Sequence, residues 1–545
     1  MFVARYYFVV AIVLATGAFF ASGWYFSVVL SWSAVSVLLV SLAYVSGRAD
    51  IFRKREDGSI PLYARWLFIP FLLGAQLYNG WARKRDTVPA IQKIEDDLFL
   101  ACRLFPSDIT DLKNKGINSI VDATAEFDGL DWSASGEGLA YLNIPVLDHL
   151  APTDAQLRHA ISWLDEQVRQ NNKIVVHCAL GRGRSVLLMA AYLLHRHPDW
   201  TVEQALRFIN DTRQTARLNR KQRNALDSYV NDSQRRAWII ANPVSGGGKW
   251  PESKRQVIQR LSQGYVVHIR ETTPDCDGYA LTKEALADNP DLLMAAGGDG
   301  TVREVAAALV DKKSQIPLAI LPMGTANALA HVLFGIKSKL IPVATACDAA
   351  IHGQISAIDT VTCNEQTMLL VMGIGFEQKM IEQADRKEKD SGGQFAYLSA
   401  LWESIELDEQ QALTVTLDDD SKQLTTNSFI VANAAPFTTL LAQGGGQPSL
   451  QDGKLDITWL NPDRQNNSAW QGLPELMLRA INGKQELDDN VVVYRQAKQV
   501  SISAAHPLKY VVDGENREAD RIDIQVVPES LRVMVPATSV MNSED

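Results

Sequence analysis

Residues 174–185 read Ile-Val-Val-His-Cys-Ala-Leu-Gly-Arg-Gly-Arg-Ser. A thiol, two glycines, two guanidinium groups and a hydroxyl within eight residues can capture a phosphate and attack it. Cys178 follows a β-branched run of buried-strand type, and residues 186–194 have the pattern of a helix starting at Ser185. A loop between a strand end and a helix start turns backbone N–H groups inward, and the helix dipole adds positive charge there. Such a loop favours thiolate over thiol, and Arg184 is placed to hold a phosphate through two parallel hydrogen bonds. A Cys and an Arg six apart also arise by chance, and an isolated buried Cys is commonly packing. The agreement of strand, His177, Gly181, Gly183 and Ser185 favours nucleophilic dephosphorylation, with His177 orienting the loop rather than acting as a base.

Such a reaction needs an acid for the leaving oxygen. Asp148 follows a short apolar run and precedes Pro152, which places it on a loop able to close over the site. Asp154 equally suits the N-cap of a helix over residues 155–168, so Asp148 has the better claim. The stretch from about 92 to 232 resembles the cysteine-dependent dual-specificity phosphatases, by its His-Cys-x5-Arg-Ser loop at 177–185 and by Asp148, thirty residues before Cys178. Within them it is most similar to the subgroup acting on phosphatidylglycerophosphate. The resemblance implies Cys178 as nucleophile, Arg184 as phosphate clamp, Ser185 easing thiolate departure, and Asp148 as acid and then base. Ala179-Leu180 stands where that subgroup often carries Lys-Ala, which weakens the case for a doubly charged or inositol-type head group.

From residue 236 strands alternate with helices, and Gly-rich turns fall at three strand ends. Strands are expected over 237–243, 265–269, 291–296 and 317–321, with helices over 251–261, 277–287 and 302–310. Repeated β-α units with such turns imply a doubly wound sheet with a ligand at that edge. In Gly297-Gly-Asp-Gly-Thr301 the glycines admit a phosphate chain, and Asp299 can take Mg²⁺ or a substrate hydroxyl. The turn at 246–249 is not a P-loop, since its glycine spacing is wrong and no Ser or Thr follows Lys249.

Residues from about 236 to 537 resemble the diacylglycerol kinase catalytic family, which includes sphingosine kinases and bacterial lipid kinases. Asn242-Pro-Val-Ser-Gly246, Gly297-Gly-Asp-Gly-Thr301 and Pro322-Met-Gly-Thr-Ala-Asn327 match its three nucleotide-side motifs. The match implies ATP held by Asn242, Pro243, Ser245, Gly246, Gly297, Gly298, Gly300, Thr301, Gly324, Thr325 and Asn327. It also implies a β-sandwich lobe, for which strands over 368–374, 411–417, 427–433, 454–460 and 510–512 are candidates. Gln451-Asp-Gly-Lys-Leu-Asp456 matches the turn carrying a structural Mg²⁺ in bacterial members, implying Asp452 as metal ligand. Val512-Asp-Gly-Glu515 matches the motif that supplies a carboxylate beside the lipid hydroxyl, implying Glu515 as general base with Asp299 assisting. The plain alternative for each Asp-Gly pair is a hairpin turn. Ala328 replaces the usual Asp after Gly-Thr-x-Asn, and Arg303 stands where Asn is common; loss of the Asp would reduce activity or change the head group accepted.

At 545 residues with a formal net charge of −10, the chain is too long for one core and ill suited to a nucleic-acid partner. Its five scattered cysteines lack metal-type spacing and suit a reducing compartment. Residues 1–47 hold one charge, Arg5, and give two apolar spans, 6–25 and 26–45, each long enough for a bilayer core of ~30 Å. Arg48, Arg53, Lys54 and Arg55 follow, so basic residues flank a helical hairpin with both ends in the cytoplasm. A cleaved signal peptide over 1–22 is the competing reading. A third apolar segment, 62–81, bounded by Arg65 and by Arg83-Lys-Arg85, fits a third span, an interfacial helix or an element packed on the hairpin. A kinase needs cytoplasmic ATP, which favours the interfacial or re-entrant lie.

The expected architecture is multidomain α/β. A membrane anchor spans 1–88, a phosphatase domain 89–232, a nucleotide lobe 236–354 and a β-sandwich lipid lobe 355–537, before a disordered tail at 538–545. The basic run Arg207, Arg213, Arg217, Arg220, Lys221 and Arg223 reads either as a solvated face or as a contact with anionic lipid; residues 384–393 read as a mobile loop. The expected protein is a bifunctional lipid-phosphate enzyme of the cytoplasmic membrane using ATP and Mg²⁺, with a homodimer left open. The alternative is a phosphotyrosine protein phosphatase joined to a non-catalytic lipid- or nucleotide-sensing module.

Overall fold

The computed structural model describes residues 2–129, 139–231, 235–335, 337–375, 411–426, 428–434, 449–460 and 492–537. The chain divides into two compact units, Met1–Arg235 with Ser262–His268, and Arg236–Leu261 with Ile269–Asp545.

The first unit opens with two apolar helices, α1 (Phe2–Phe20) and α2 (Trp24–Ser46). The break falls at residues 21–23, where the apolar stretch softens at Ala21-Ser-Gly23, but Trp24 and Tyr25 open α2 rather than close the first span. Ala4, Ala11 and Ala18 form the buried side of α1. Small residues at this seven-residue spacing let the helix backbones approach closely, and Ser41 Oγ donates to Ala4 O at 2.8 Å across the pair. Gly47 ends α2 in the left-handed conformation (φ 69°).

The third apolar segment is helix α3 (Leu62–Lys84). It shares a core with Val40 and Ala43 of α2, and with Phe52, Ala125 and Leu147. The charges bounding it pair with the following domain: Arg65 meets Asp128 at 2.8 Å and Arg83 meets Asp108 at 2.8 Å. Leu62, Trp66, Leu73, Leu77 and Trp81 remain exposed. The helix packs on the hairpin and on the α/β domain.

That domain is a five-stranded sheet of order β1-β2-β5-β3-β4, from β1 (Ile91–Lys93), β2 (Leu98–Ala101), β3 (Ile117–Asp122), β4 (Ala140–Asn143) and β5 (Lys173–His177). All neighbours are parallel except β1 with β2. Ile174, Val175 and Val176 of β5 are fully buried, as a central parallel strand covered on both faces requires. Among the helices of the domain are α4 (Asp154–Arg169), α5 (Arg184–Arg196), α6 (Val202–Thr212) and α7 (Arg220–Asn231). Thr153 caps α4 through a reciprocal box with Gln156, so Asp154 is the first helical residue and not the N-cap.

From residue 236 the chain runs as alternating β-α units: β6 (Arg236–Ala241), α8 (Lys249–Leu261), β7 (Val266–Glu271, whose first three residues count with the first unit), α9 (Gly278–Ala287), β8 (Leu292–Gly297), α10 (Asp299–Asp311), β9 (Leu318–Pro322), α11 (Ala328–Phe334) and α12 (Pro342–His352). Strands β6, β8 and β9 are parallel neighbours. Antiparallel strands follow: β10 (Gln354–Cys363), β11 (Gln366–Met368), β12 (Val371–Gly375), β13 (Gln411–Leu417), β14 (Asp420–Thr426), β15 (Ser428–Ala432), β16 (Leu455–Leu460), β17 (Val492–Ala497), β18 (Gln499–Val512) and β19 (Glu515–Val535). They enclose a core of their own. The expected strand 368–374 is two strands, broken at Leu369 and Leu370, whose N–H groups go to the Asp513 carboxylate. The expected strand 510–512 is the end of a fourteen-residue one. The expected loop at 384–393 and tail at 538–545 lie outside the described residues.

Candidate active sites

Cys178 follows β5, the central strand of the first sheet, at the C-terminal edge where parallel sheets gather ligands. Gly181 N donates to its Sγ at 3.3 Å and Ser185 Oγ donates at 3.2 Å. The loop is held from outside. Asn79 of α3 and the Arg103 N–H both donate to Ala179 O, at 2.8 and 3.0 Å. Arg213, fully buried, donates to Gly181 O and Leu180 O. Gly181 has φ +65°, and a Cβ there would lie 2.6 Å from Ala101 O, so only glycine fits.

Arg184 is buried and takes both oxygens of Glu126, at 2.9 and 2.8 Å, besides donating to Val146 O. Asp148 Oδ1 lies 3.3 Å from Nη2, and Nε has no hydrogen-bond partner. Glu126 thus occupies the Nη1–Nη2 edge of the guanidinium, and a phosphate taking two parallel bonds would use Nε together with Nη2, beside Asp148. Burial opposes the charge, but the Glu126 and Asp148 carboxylates outweigh it and raise the pKa well above the ordinary value. His177 is buried, 3.8 Å from Asp122, and burial lowers its pKa, so it is neutral near pH 7. Cys178, Arg184 and Asp148 all line one cavity; Ser185 reaches it through its bond to Cys178.

In the second unit the three Gly-rich turns meet. Met323 N donates to Gly297 O at 2.8 Å, and Gly298 N donates to Ser245 Oγ at 3.3 Å. Asn242 Nδ2 reaches Thr301 Oγ1 at 3.4 Å, and Asn242 Oδ1 accepts from Val244 N. A Cβ on Gly246 would lie 1.9 Å from Met323 O, and one on Gly324 would lie 2.6 Å from Gly298 Cα. No neighbour lies within 4 Å of a Cβ built on Gly247 or Gly300, so the cradle has room beside its N–H groups. Asn327, left-handed at φ 51°, closes the third turn with bonds to Gly324 N and O. Asp299 accepts from the N–H groups of Asn327, Ala328 and Leu329; burial nevertheless raises its pKa.

Residues 98–232 match the model of the dual specificity phosphatase catalytic domain, residues 236–363 that of the diacylglycerol kinase catalytic domain, and residues 371–535 that of the YegS C-terminal NAD kinase beta sandwich-like domain. This chain is a fusion of a dual-specificity phosphatase domain with a diacylglycerol kinase-family domain. An uncharacterized protein of Synechocystis sp. is 32% identical over 311 residues, 55% of this chain and 70% of that one. A diacylglycerol kinase of Bacillus subtilis is 28% identical over 288 residues, 52% and 90% of the two chains. A probable YegS-like lipid kinase of Pectobacterium atrosepticum is 28% identical over 309 residues, 55% and 95%.

In the kinase-family domain Asp513-Gly514 forms the two-residue turn between β18 and β19, both residues with positive φ. The hairpin reading of that pair is therefore correct as geometry, and Glu515 opens the returning strand. Its carboxylate is paired with Arg303 of α10 and with Arg517. Burial pushes the Glu515 pKa up, but the two guanidinium groups outweigh it and leave it below the usual carboxylate range. Asp452 accepts from Lys454 N at 3.0 Å, and burial raises its pKa, with Asp456 and Asp359 adding to the rise. Among the described residues Asp452 does not belong to a group of three with ligand atoms in mutual reach. Ala328 contributes its backbone N–H to Asp299 and packs on the nucleotide-lobe core.

Sequence reasoning missed Glu126, Asn79 and Arg213. Glu126 had a usable signal, a carboxylate just past the end of a strand neighbouring that of Cys178. Asn79 was hidden inside an apolar segment, and Arg213 inside a basic run. That run is not one surface: Arg213 is a buried strut, Arg217 lines the Cys178 cavity, and Arg223 pairs with Glu203 and Asp227. Lys54, expected to be a membrane-flanking charge, is buried on Asp122 at 2.7 Å.

Proposed function

We propose that this protein is a membrane-anchored enzyme that removes phosphate from a phospholipid of the phosphatidylglycerophosphate type and phosphorylates a lipid hydroxyl of the diacylglycerol type. The observation that carries the reading is the completeness of the thiol site: Sγ accepting from Gly181 N–H and Ser185 O–H, beside an Arg184 edge with an unused Nε. In the dephosphorylation, Cys178 Sγ attacks phosphorus while Asp148 gives its proton to the departing alkoxide. Asp148 then takes a proton from the water that attacks the phosphocysteine, and Ser185 Oγ donates to the leaving sulfur.

In the kinase reaction the Gly246, Gly298 and Gly324 turns hold the phosphates of ATP, with Asn242, Pro243, Ser245, Gly297, Gly300, Thr301, Thr325 and Asn327 shaping the cradle. Glu515 takes the proton of the lipid hydroxyl, and Asp299 assists. Mg²⁺ would supply charge that offsets the developing negative charge on the phosphoryl group. The helices α1 and α2 have the length and hydropathy to cross a bilayer. Arg5 in the first turn of α1 and Arg48, Arg53 and Arg55 after α2 support a cytoplasmic side for both ends, and with them for both catalytic domains. The proposed divisions are 1–88, 89–232, 236–354 and 355–537.

The Arg303–Glu515 pair supports a second reading, in which the kinase-family domain binds nucleotide or lipid without turnover and the thiol site serves phosphoproteins. One experiment separates the two: phosphate release and ATP-dependent phosphorylation over a lipid panel in micelles, with wild type, Cys178→Ser and Asp299→Ala. Each variant is expected to lose one activity and keep the other. A wild type that ignores every lipid but dephosphorylates a phosphotyrosine peptide overturns the lipid reading.

A further inference from the structure

The cavity that holds Cys178 extends well beyond the phosphate loop. Its volume is about 940 Å³, near the top of the ~300–1,000 Å³ range of small-molecule sites and far more than a phosphate group fills. Besides Cys178 and Arg184 it is lined by Tyr7 and Val10 of α1, Val37 and Tyr44 of α2, and Phe71 and Gly74 of α3. These three helices also carry large exposed apolar side chains, among them Phe8, Ile12, Leu42, Trp66 and Leu77. A wall continuous with helices of this composition suits hydrocarbon better than water.

We propose that α1, α2 and α3 form an acyl-chain site of the phosphatase, so that a glycerophospholipid phosphomonoester enters from the bilayer with its chains against the helices and its phosphate at Cys178. This rests on the lipid-phosphatase reading above and deepens it. Three observations bind the helices to the chemistry. Asn79 of α3 fixes the phosphate loop through Ala179 O. Ala125 and Leu147 join the core shared by α2 and α3, and each adjoins a residue facing Arg184, Glu126 and Asp148 respectively. Arg182 and Arg217 line the same cavity, giving it a cationic part for an anionic head group beside an apolar part for chains.

Gly74 offers the test, because a Cβ built there meets no atom within 4 Å. Gly74→Phe therefore projects into the cavity without a backbone clash. In full-length protein in micelles, kcat/KM is measured for dioleoyl and dihexanoyl phosphatidylglycerophosphate and for p-nitrophenyl phosphate. The ratio of long-chain to short-chain kcat/KM is expected to fall roughly tenfold or more in Gly74→Phe, the scale on which hydrophobic pockets discriminate. Val10→Phe, on another helix, is expected to act in the same direction and stands in should Gly74→Phe fail to fold. Leu77→Phe, exposed and outside the lining, should leave the ratio unchanged. If the wild type hydrolyses the lipids and both cavity variants keep its ratio within twofold, the acyl-chain site is wrong and the lipid reading stands. If the wild type hydrolyses p-nitrophenyl phosphate but neither lipid, the lipid reading itself falls, and the acyl-chain site with it.

Discussion

Arg303 and Glu515, 212 positions apart in the chain, form an ion pair that joins the helix after Gly297-Gly-Asp-Gly-Thr301 to the strand after the Asp513-Gly514 turn. The pair sets the basicity of the proposed kinase base. Arg303 and Arg517 overcome the effect of burial and hold Glu515 below the usual carboxylate range. Removing Arg303 raises that pKa. The proton acceptor must be ionised, so activity is lost as pH falls through it. Arg303→Asn should therefore move the acid limb of the kinase pH–rate profile to higher pH. A limb that stays in place or moves the other way removes Glu515 as the base.

Glu126→Gln tests the support of the phosphate clamp. The substitution keeps the shape but leaves the buried Arg184 charge without its carboxylate, a loss of about 3–5 kcal/mol for a broken buried pair. The guanidinium is then free to turn, and misplacement on the ångström scale costs on the order of 100-fold in rate. Denaturant unfolding and phosphate release should both show the loss.

Lys54→Met leaves Asp122 buried without its cation. Burial pushes the Asp122 carboxyl up, but Lys54, His177 and Thr124 together hold it well below the usual range. A depressed carboxylate pKa stabilises fully above the unfolded value of ~3.9, and the contribution is lost as pH falls through the folded value. Lys54→Met should cost about 3–5 kcal/mol at pH 7. Lys54→Met with Asp122→Asn should recover part of it, because no unpaired charge remains. A double variant as unstable as the single one would refute the pairing.

Gly246→Ala should remove nucleotide binding. The added methyl would lie 1.9 Å from Met323 O, at a backbone φ of +57°, so the first and third turns must separate. Wild type with Mg·ATP at a hundredfold excess over Kd gains about 2.7 kcal/mol of stability. Thermal unfolding of Gly246→Ala should show no such gain.

The chemistry of this chain is local, and so the sequence alone set it out. Cys178, Arg184 and Ser185 lie within one strand–loop–helix turn, and each glycine motif within one β-α connection. Steric rules acting over a few residues are enough to position such groups. The partners that tune them come from far along the chain. Glu126 reaches Arg184 because β3 lies beside β5, Asn79 reaches Ala179 across 100 residues, and Arg303 reaches Glu515 across 212. Hydropathy likewise identified α1 and α2, whereas α3 was ambiguous from composition. What it packs against is decided by Phe68, Phe71 and Leu72 entering a core with Ala125 and Leu147. Local sequence specifies backbone shape and reactive groups; only the meeting of distant segments decides which charges are paired and which apolar faces are covered.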